Sequence, residues 1–127
     1  MNPAQYRLIK TDHAILERVD LIALSIRRDY VDKKPILIGI LNGSFIFMAD
    51  LVRALSHPTK QNPIYPEIDF IKVSSYKQTR STGKVNMVNG LSCLIENRHV
   101  ILVDDIVDTG LTMRFVKEYL TTKKPTS

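Results

Sequence analysis

Three aspartates and two threonines fall together in Asp104-Asp105-Ile106-Val107-Asp108-Thr109-Gly110-Leu111-Thr112, immediately after the apolar run Val100–Val103. The backbone N–H groups of Asp108 to Thr112, with the hydroxyls of Thr109 and Thr112, can surround a phosphate at the positive end of a helix dipole. Gly110 lets that backbone approach its ligand closely. The adjoining carboxylates would repel a bare phosphate, so Asp104 and Asp105 suit ribose hydroxyls or a divalent cation better. A sugar phosphate meets both demands. The same residues also fit a plainer account, in which the acids only cap a helix and favour its N-terminal dipole. Spacing alone does not separate the two.

Such a loop needs a strand before it and a helix after it, and the sequence supplies both. Val100–Val103 is the strand, and Phe115, Val116, Tyr119 and Leu120 mark the apolar face of the helix. The same unit occurs earlier. Ile36 to Leu41 is a short, mostly β-branched run, Asn42-Gly43-Ser44 a turn, and Phe45, Met48, Ala49, Val52 and Leu55 a helical face. Upstream, Ile15, Val19, Ile22, Ala23 and Ile26 give a 3.6-residue period over Asp12 to Tyr30, capped by Thr11 or Asp12. Ile68 to Ser74 is a further strand, its pattern diluted by Asp69 and Lys72. Val85–Val88 and Leu91–Ile95 flank Asn89-Gly90 as an expected hairpin. The alternation predicts an α/β fold, a largely parallel sheet flanked by helices, with the loops after Leu41, Ser74 and Val103 at one edge. Ligands of open α/β sheets bind at that edge.

Composition narrows the function classes. The chain has 127 residues and 44% hydrophobic content, enough for one core, so a single domain over 1–127 is expected. Eighteen Lys and Arg against 13 Asp and Glu give +5, which favours anionic partners, but the positives are scattered. One cysteine, Cys93, rules out an internal disulfide framework and reads as a small buried residue. No apolar run reaches the length of a membrane span and no signal-peptide pattern opens the chain, so no membrane partner and a cytoplasmic location are expected. His13, His57 and His99 lack ligands at metal spacing.

The stretch Val103 to Thr112 resembles the phosphoribosyl-pyrophosphate motif of the type I phosphoribosyltransferases. Leu41-Asn42-Gly43-Ser44-Phe45 with Ala49-Asp50-Leu51 is similar to the pyrophosphate loop and following helix of that family's hypoxanthine-guanine branch. Asp69 to Tyr76, with Ser81-Thr82-Gly83 beyond, resembles its strand and mobile active-site loop. The three motifs stand in the family's order over about Ile36 to Leu120.

The resemblance implies transfer of a 5-phosphoribosyl group from phosphoribosyl pyrophosphate to a purine base, hypoxanthine or guanine, with Mg²⁺. By position, Asp104 and Asp105 would hold the ribose hydroxyls and share the metal, and Asp108 would handle the proton at purine N7. Asp108, Thr109, Gly110, Leu111 and Thr112 would hold the 5′-phosphate, and Leu41, Asn42 and Gly43 the pyrophosphate, through a non-proline cis peptide at Leu41-Asn42. Ser75 and Tyr76 would lie on the mobile loop that keeps water from the sugar cation. Two positions depart from the pattern: Asn42 where Lys or Arg is common, and Asp104 where Glu is. After Tyr119 the family carries its purine-clamping elements, which Thr121 to Ser127 do not match, so cover by a homo-oligomer is expected. The rival expectation is a noncatalytic nucleotide sensor or RNA-binding regulator on the same scaffold, or an inactive shortened form.

Overall fold

The computed structural model describes residues 6–75 and 85–127. Thr11 sits in extended backbone and its hydroxyl accepts the N–H of Ala14 at 3.1 Å, which starts helix α1 (Asp12–Asp29). There follow β1 (Ile36–Leu41), α2 (Phe45–Ser56), β2 (Glu67–Ser75), β3 (Val85–Asn89), β4 (Val100–Val103) and α3 (Leu111–Thr121). The sheet order is β3-β2-β1-β4. β1 runs parallel to both neighbours, and β3 joins β2 antiparallel. The expected largely parallel sheet flanked by helices is what forms.

β1 explains why the fold has two cores. Its residues Ile36 to Ile40 are buried on both faces, which only a central strand covered from both sides achieves. Leu37 packs with Val19, Ala23, Met48, Leu51, Leu55 and Val103, under α1 and α2. Ile36, Ile38 and Ile40 pack with Ile71, Ile95, Val116 and Leu120, under α3. Arg27, 5% exposed, ties the first layer together: its Nη1 donates to the Ala54 carbonyl at 2.6 Å. That carbonyl lies in the last turn of α2, where intrahelical donors run out.

Three expectations need correction. In α1 the buried stripe is Val19, Ala23 and Arg27. Ile15 and Ile22 stay 49% and 42% exposed, because they border an open cleft toward Ile46 and Phe47 of α2 instead of closing onto it. In α2, Phe45 is exposed and Leu51 takes its place in the core. The Val85–Val88 and Leu91–Ile95 hairpin does not form. β3 pairs with β2 instead, and the Ser92 and Cys93 N–H groups donate to Asp69 Oδ2 at 2.7 and 3.0 Å. Amides captured by a carboxylate cannot serve a strand ladder.

Asp69 is therefore a fastener, a role that its dilution of the strand pattern does not disclose. Its Oδ1 also accepts the Phe70 N–H at 2.8 Å. Burial pushes its carboxyl up, but the three backbone donors outweigh that and hold it below the ordinary carboxylate value. Cys93, half-buried as a neighbour of the α3 core, has its thiol pushed up to about 11 by burial and by the Asp69 carboxylate it bonds. It is chemically quiet at neutral pH.

Candidate functional site

The parallel strands β1 and β4 end side by side, Gly39 opposite Val103, so the loops that follow them emerge at one edge of the sheet. The first, Leu41-Asn42-Gly43-Ser44, contains a cis peptide between Leu41 and Asn42, as the resemblance implied. Ser44 is fully buried at the start of α2. Its backbone N–H donates to the Ile40 carbonyl at 3.2 Å, and its hydroxyl has no hydrogen-bond partner among the described residues.

The second loop runs from Asp104 to Gly110, which adopts φ +81° at the N-terminus of α3. A left-handed residue at this point favours glycine, since any side chain would be strained there. Thr109 Oγ1 accepts the Leu111 N–H at 3.3 Å, so this hydroxyl is partly engaged. The N–H groups of Thr109, Gly110 and Thr112 have no acceptor among the described residues. They are donors open to an anion at the positive end of a helix.

The two loops meet at Gly43 and Asp105. A Cβ on Gly43 would lie within 2.7 Å of the Asp105 carboxyl atoms. Asp105 turns its carboxylate onto the first loop, while its N–H donates to Asp104 Oδ1 at 2.9 Å. Burial raises the Asp104 carboxyl above its ordinary value, and the side chain and charge of Asp105 add to the rise, outweighing the Asp105 N–H, which works the other way. Two neighbouring carboxylates that disfavour each other's charge suit a cation or sugar hydroxyls as partners. Asp108 stands exposed beyond them.

The structure thus brings Leu41, Asn42 and Gly43 to the same edge as Asp104, Asp105 and Asp108 to Thr112. Ser75 ends β2 at that edge, opposite Val85 of β3. Tyr76 and Ser81-Thr82-Gly83 lie outside the described residues. Sequence reasoning missed Lys72, which stands opposite Leu41 in the β1–β2 register. It also missed a cleft of about 780 Å³ that joins Gly43 and Asp105 to Lys10 and Arg18. Lys72 was legible as a charge one register step from the loop, whereas the cleft depends on how α1 docks.

Similarity to known proteins extends over most of the chain. The phosphoribosyl transferase domain family matches residues 5–127. The hypoxanthine-guanine phosphoribosyltransferase of Aquifex aeolicus is 41% identical over 121 residues, covering 94% of this chain and 64% of that protein. The Dictyostelium discoideum enzyme of the same name is 38% identical over 122 residues, with 94% and 66% covered. This chain spans just under two thirds of the length of those relatives. Among solved structures, the hypoxanthine phosphoribosyltransferase of Trypanosoma cruzi in complex with the product IMP superposes with a TM-score of 0.84 at 34% identity, covering 100% of this chain and 69% of that one.

Proposed function

The chain belongs to the phosphoribosyltransferase family, and from that premise we propose that it acts in purine salvage, moving a 5-phosphoribosyl group from phosphoribosyl pyrophosphate to hypoxanthine or guanine. The products are IMP or GMP and pyrophosphate. The observation that carries this reading is the contact of the two motif loops at Gly43 and Asp105, which brings the loop after β4 against the loop after β1 at the carboxyl edge of the sheet. The names of the relatives and the IMP complex of the T. cruzi neighbour support the purine.

In this reading the N–H groups of Thr109, Gly110 and Thr112 hold the 5′-phosphate at the α3 N-terminus, anchoring the sugar while its far side reacts. Asp104 and Asp105 accept its ribose hydroxyls. As the bond from C1′ to pyrophosphate breaks, positive charge grows on the sugar ring, and N9 of the base takes the vacated position. Asp108 holds or receives the proton at N7. The amides of the Leu41-Asn42-Gly43 loop face the departing oxygens.

Mg²⁺ belongs to the same proposal. Among the described residues there is no group of three or more metal-ligating side chains. The adjacent Asp104 and Asp105 are the donors available, a set that suits an ion completed by the substrate's own oxygens. When bound, the ion supplies positive charge to the leaving pyrophosphate. Self-association is also part of the proposal, supported by Ile15, Leu16, Leu21, Ile22 and Leu24 of α1, each 42–53% exposed. A cytoplasmic setting completes it, supported by a sequence whose single cysteine offers no disulfide framework.

Calorimetric titration of phosphoribosyl pyrophosphate with Mg²⁺, followed by an assay for nucleotide from hypoxanthine and guanine, tests the reading. Saturable binding with turnover is expected. Binding without turnover would leave a donor-binding domain, and no binding would sink the proposal.

A further inference from the structure

The loops 41–44 and 104–112 hold three carboxylates, Asp104, Asp105 and Asp108, and no lysine or arginine. A pyrophosphate group adds several negative charges beside them, and such a site binds its anion well only if cations reach it from elsewhere. Lys72 stands opposite Leu41 on the neighbouring strand, and two more cations face the cleft itself. The cleft that Gly43 and Asp105 border is lined on its other side by Lys10, just before α1, and by Arg18 within it.

The charges of this cleft are not internally matched. Glu17 pairs with His13 at 3.1 Å and Asp50 with Arg53 at 2.8 Å. Lys10 and Arg18 have no carboxylate within 4.0 Å among the described residues, and neither does any cation lie that close to Asp105. Both cations are exposed, so turning toward an anion costs them no packing. Ordinary solvated surface cations would also be unpaired, but these two share a cleft with Gly43 and Asp105, where the loops touch.

We propose that Lys10 and Arg18 are donor-binding residues that receive the pyrophosphate end of the substrate and supply the positive charge its own loop lacks. The proposal rests on the transferase reading above and assigns part of its substrate site to α1.

The test is calorimetric titration of inorganic pyrophosphate with Mg²⁺, and in parallel of ribose 5-phosphate, into the chain and into Arg18→Gln and Lys10→Gln. Each substitution should weaken pyrophosphate by roughly tenfold and flatten its salt dependence, with ribose 5-phosphate and the melting temperature unchanged. Introducing Asn42→Lys into the Arg18→Gln chain should restore much of the loss, because it returns a cation to the loop. Unchanged pyrophosphate affinity in both variants would overturn the proposal, and so would equal weakening of both ligands, which marks a diffuse charge effect. If the unaltered chain binds neither ligand, the transferase reading falls with it. Normal binding and turnover in the variants removes the α1 cations alone.

Discussion

The Asp105 carboxylate rests directly on Gly43, so that a Cβ there would come within 2.7 Å of its atoms. Gly43 has no positive φ, so close approach rather than backbone freedom excludes a side chain at this position. The atoms in the way belong to an exposed side chain that can rotate. Gly43→Ala should therefore leave stability within about 0.5 kcal/mol of the original. It should weaken phosphoribosyl pyrophosphate at least about tenfold by displacing Asp105 from its place beside the pyrophosphate loop. Parallel thermal melts and donor titrations read the two effects separately, and a large loss of stability with intact affinity would contradict the argument.

Asp108 stands apart from the Asp104–Asp105 pair, exposed at the mouth of the α3 loop. If it handles the N7 proton, Asp108→Asn should lower turnover by about 10²-fold or more while donor affinity changes little. Steady-state rates together with donor titration check this. Equal losses in both would return Asp108 to a binding role.

Asp69 makes acid stability a local matter. Its carboxyl is held below the ordinary value in the folded chain, because three backbone donors outweigh the cost of burial. A depressed folded value means that the contribution is present above the unfolded carboxylate range, about pH 4, and is lost as pH falls through the folded value. Asp69→Asn should cost about 1.5–3 kcal/mol at pH 7, since hydrogen bonds to a charged acceptor are replaced by weaker and partly mismatched ones. Urea unfolding at pH 7 and pH 3 should show the gap narrowing in acid. A gap of constant size would mean that Asp69 acts through packing instead.

Core and surface in the α1–α2 layer divide differently from the sequence periodicity, and mutation separates them. Leu51, 1% exposed, should cost about 2–5 kcal/mol on replacement by alanine. Ile22→Ala, at a residue 42% exposed along the open cleft, should cost less than about 1 kcal/mol. Denaturant midpoints for the two variants decide it, and comparable losses would place Ile22 in a packed contact.

Much of the architecture was legible because it rests on local patterns. Ile36 to Leu41 is the strand the sequence marks out, to the residue, since an unbroken apolar run can only be satisfied when both faces are covered. Thr11 caps α1 through its own hydroxyl, and Gly110 opens α3 in the left-handed region, both short-range effects written in residue type. The loop residues from Leu41 to Gly43 and from Asp104 to Thr112 were named from motif order, and parallel pairing then leads them to one edge.

What the sequence by itself determined is the set of strands, helices and acid-bearing loops, because these follow from periodicity, capping and backbone freedom over a few residues. Only the tertiary structure decided which stripe of α1 is buried, that Asp69 would capture the Ser92 and Cys93 amides in place of a hairpin, and that Asp105 would lie on Gly43 across a cleft from Lys10 and Arg18. Those outcomes depend on contacts between residues far apart in the chain, whose energies exceed the local preferences they override and leave no periodic signal in the sequence.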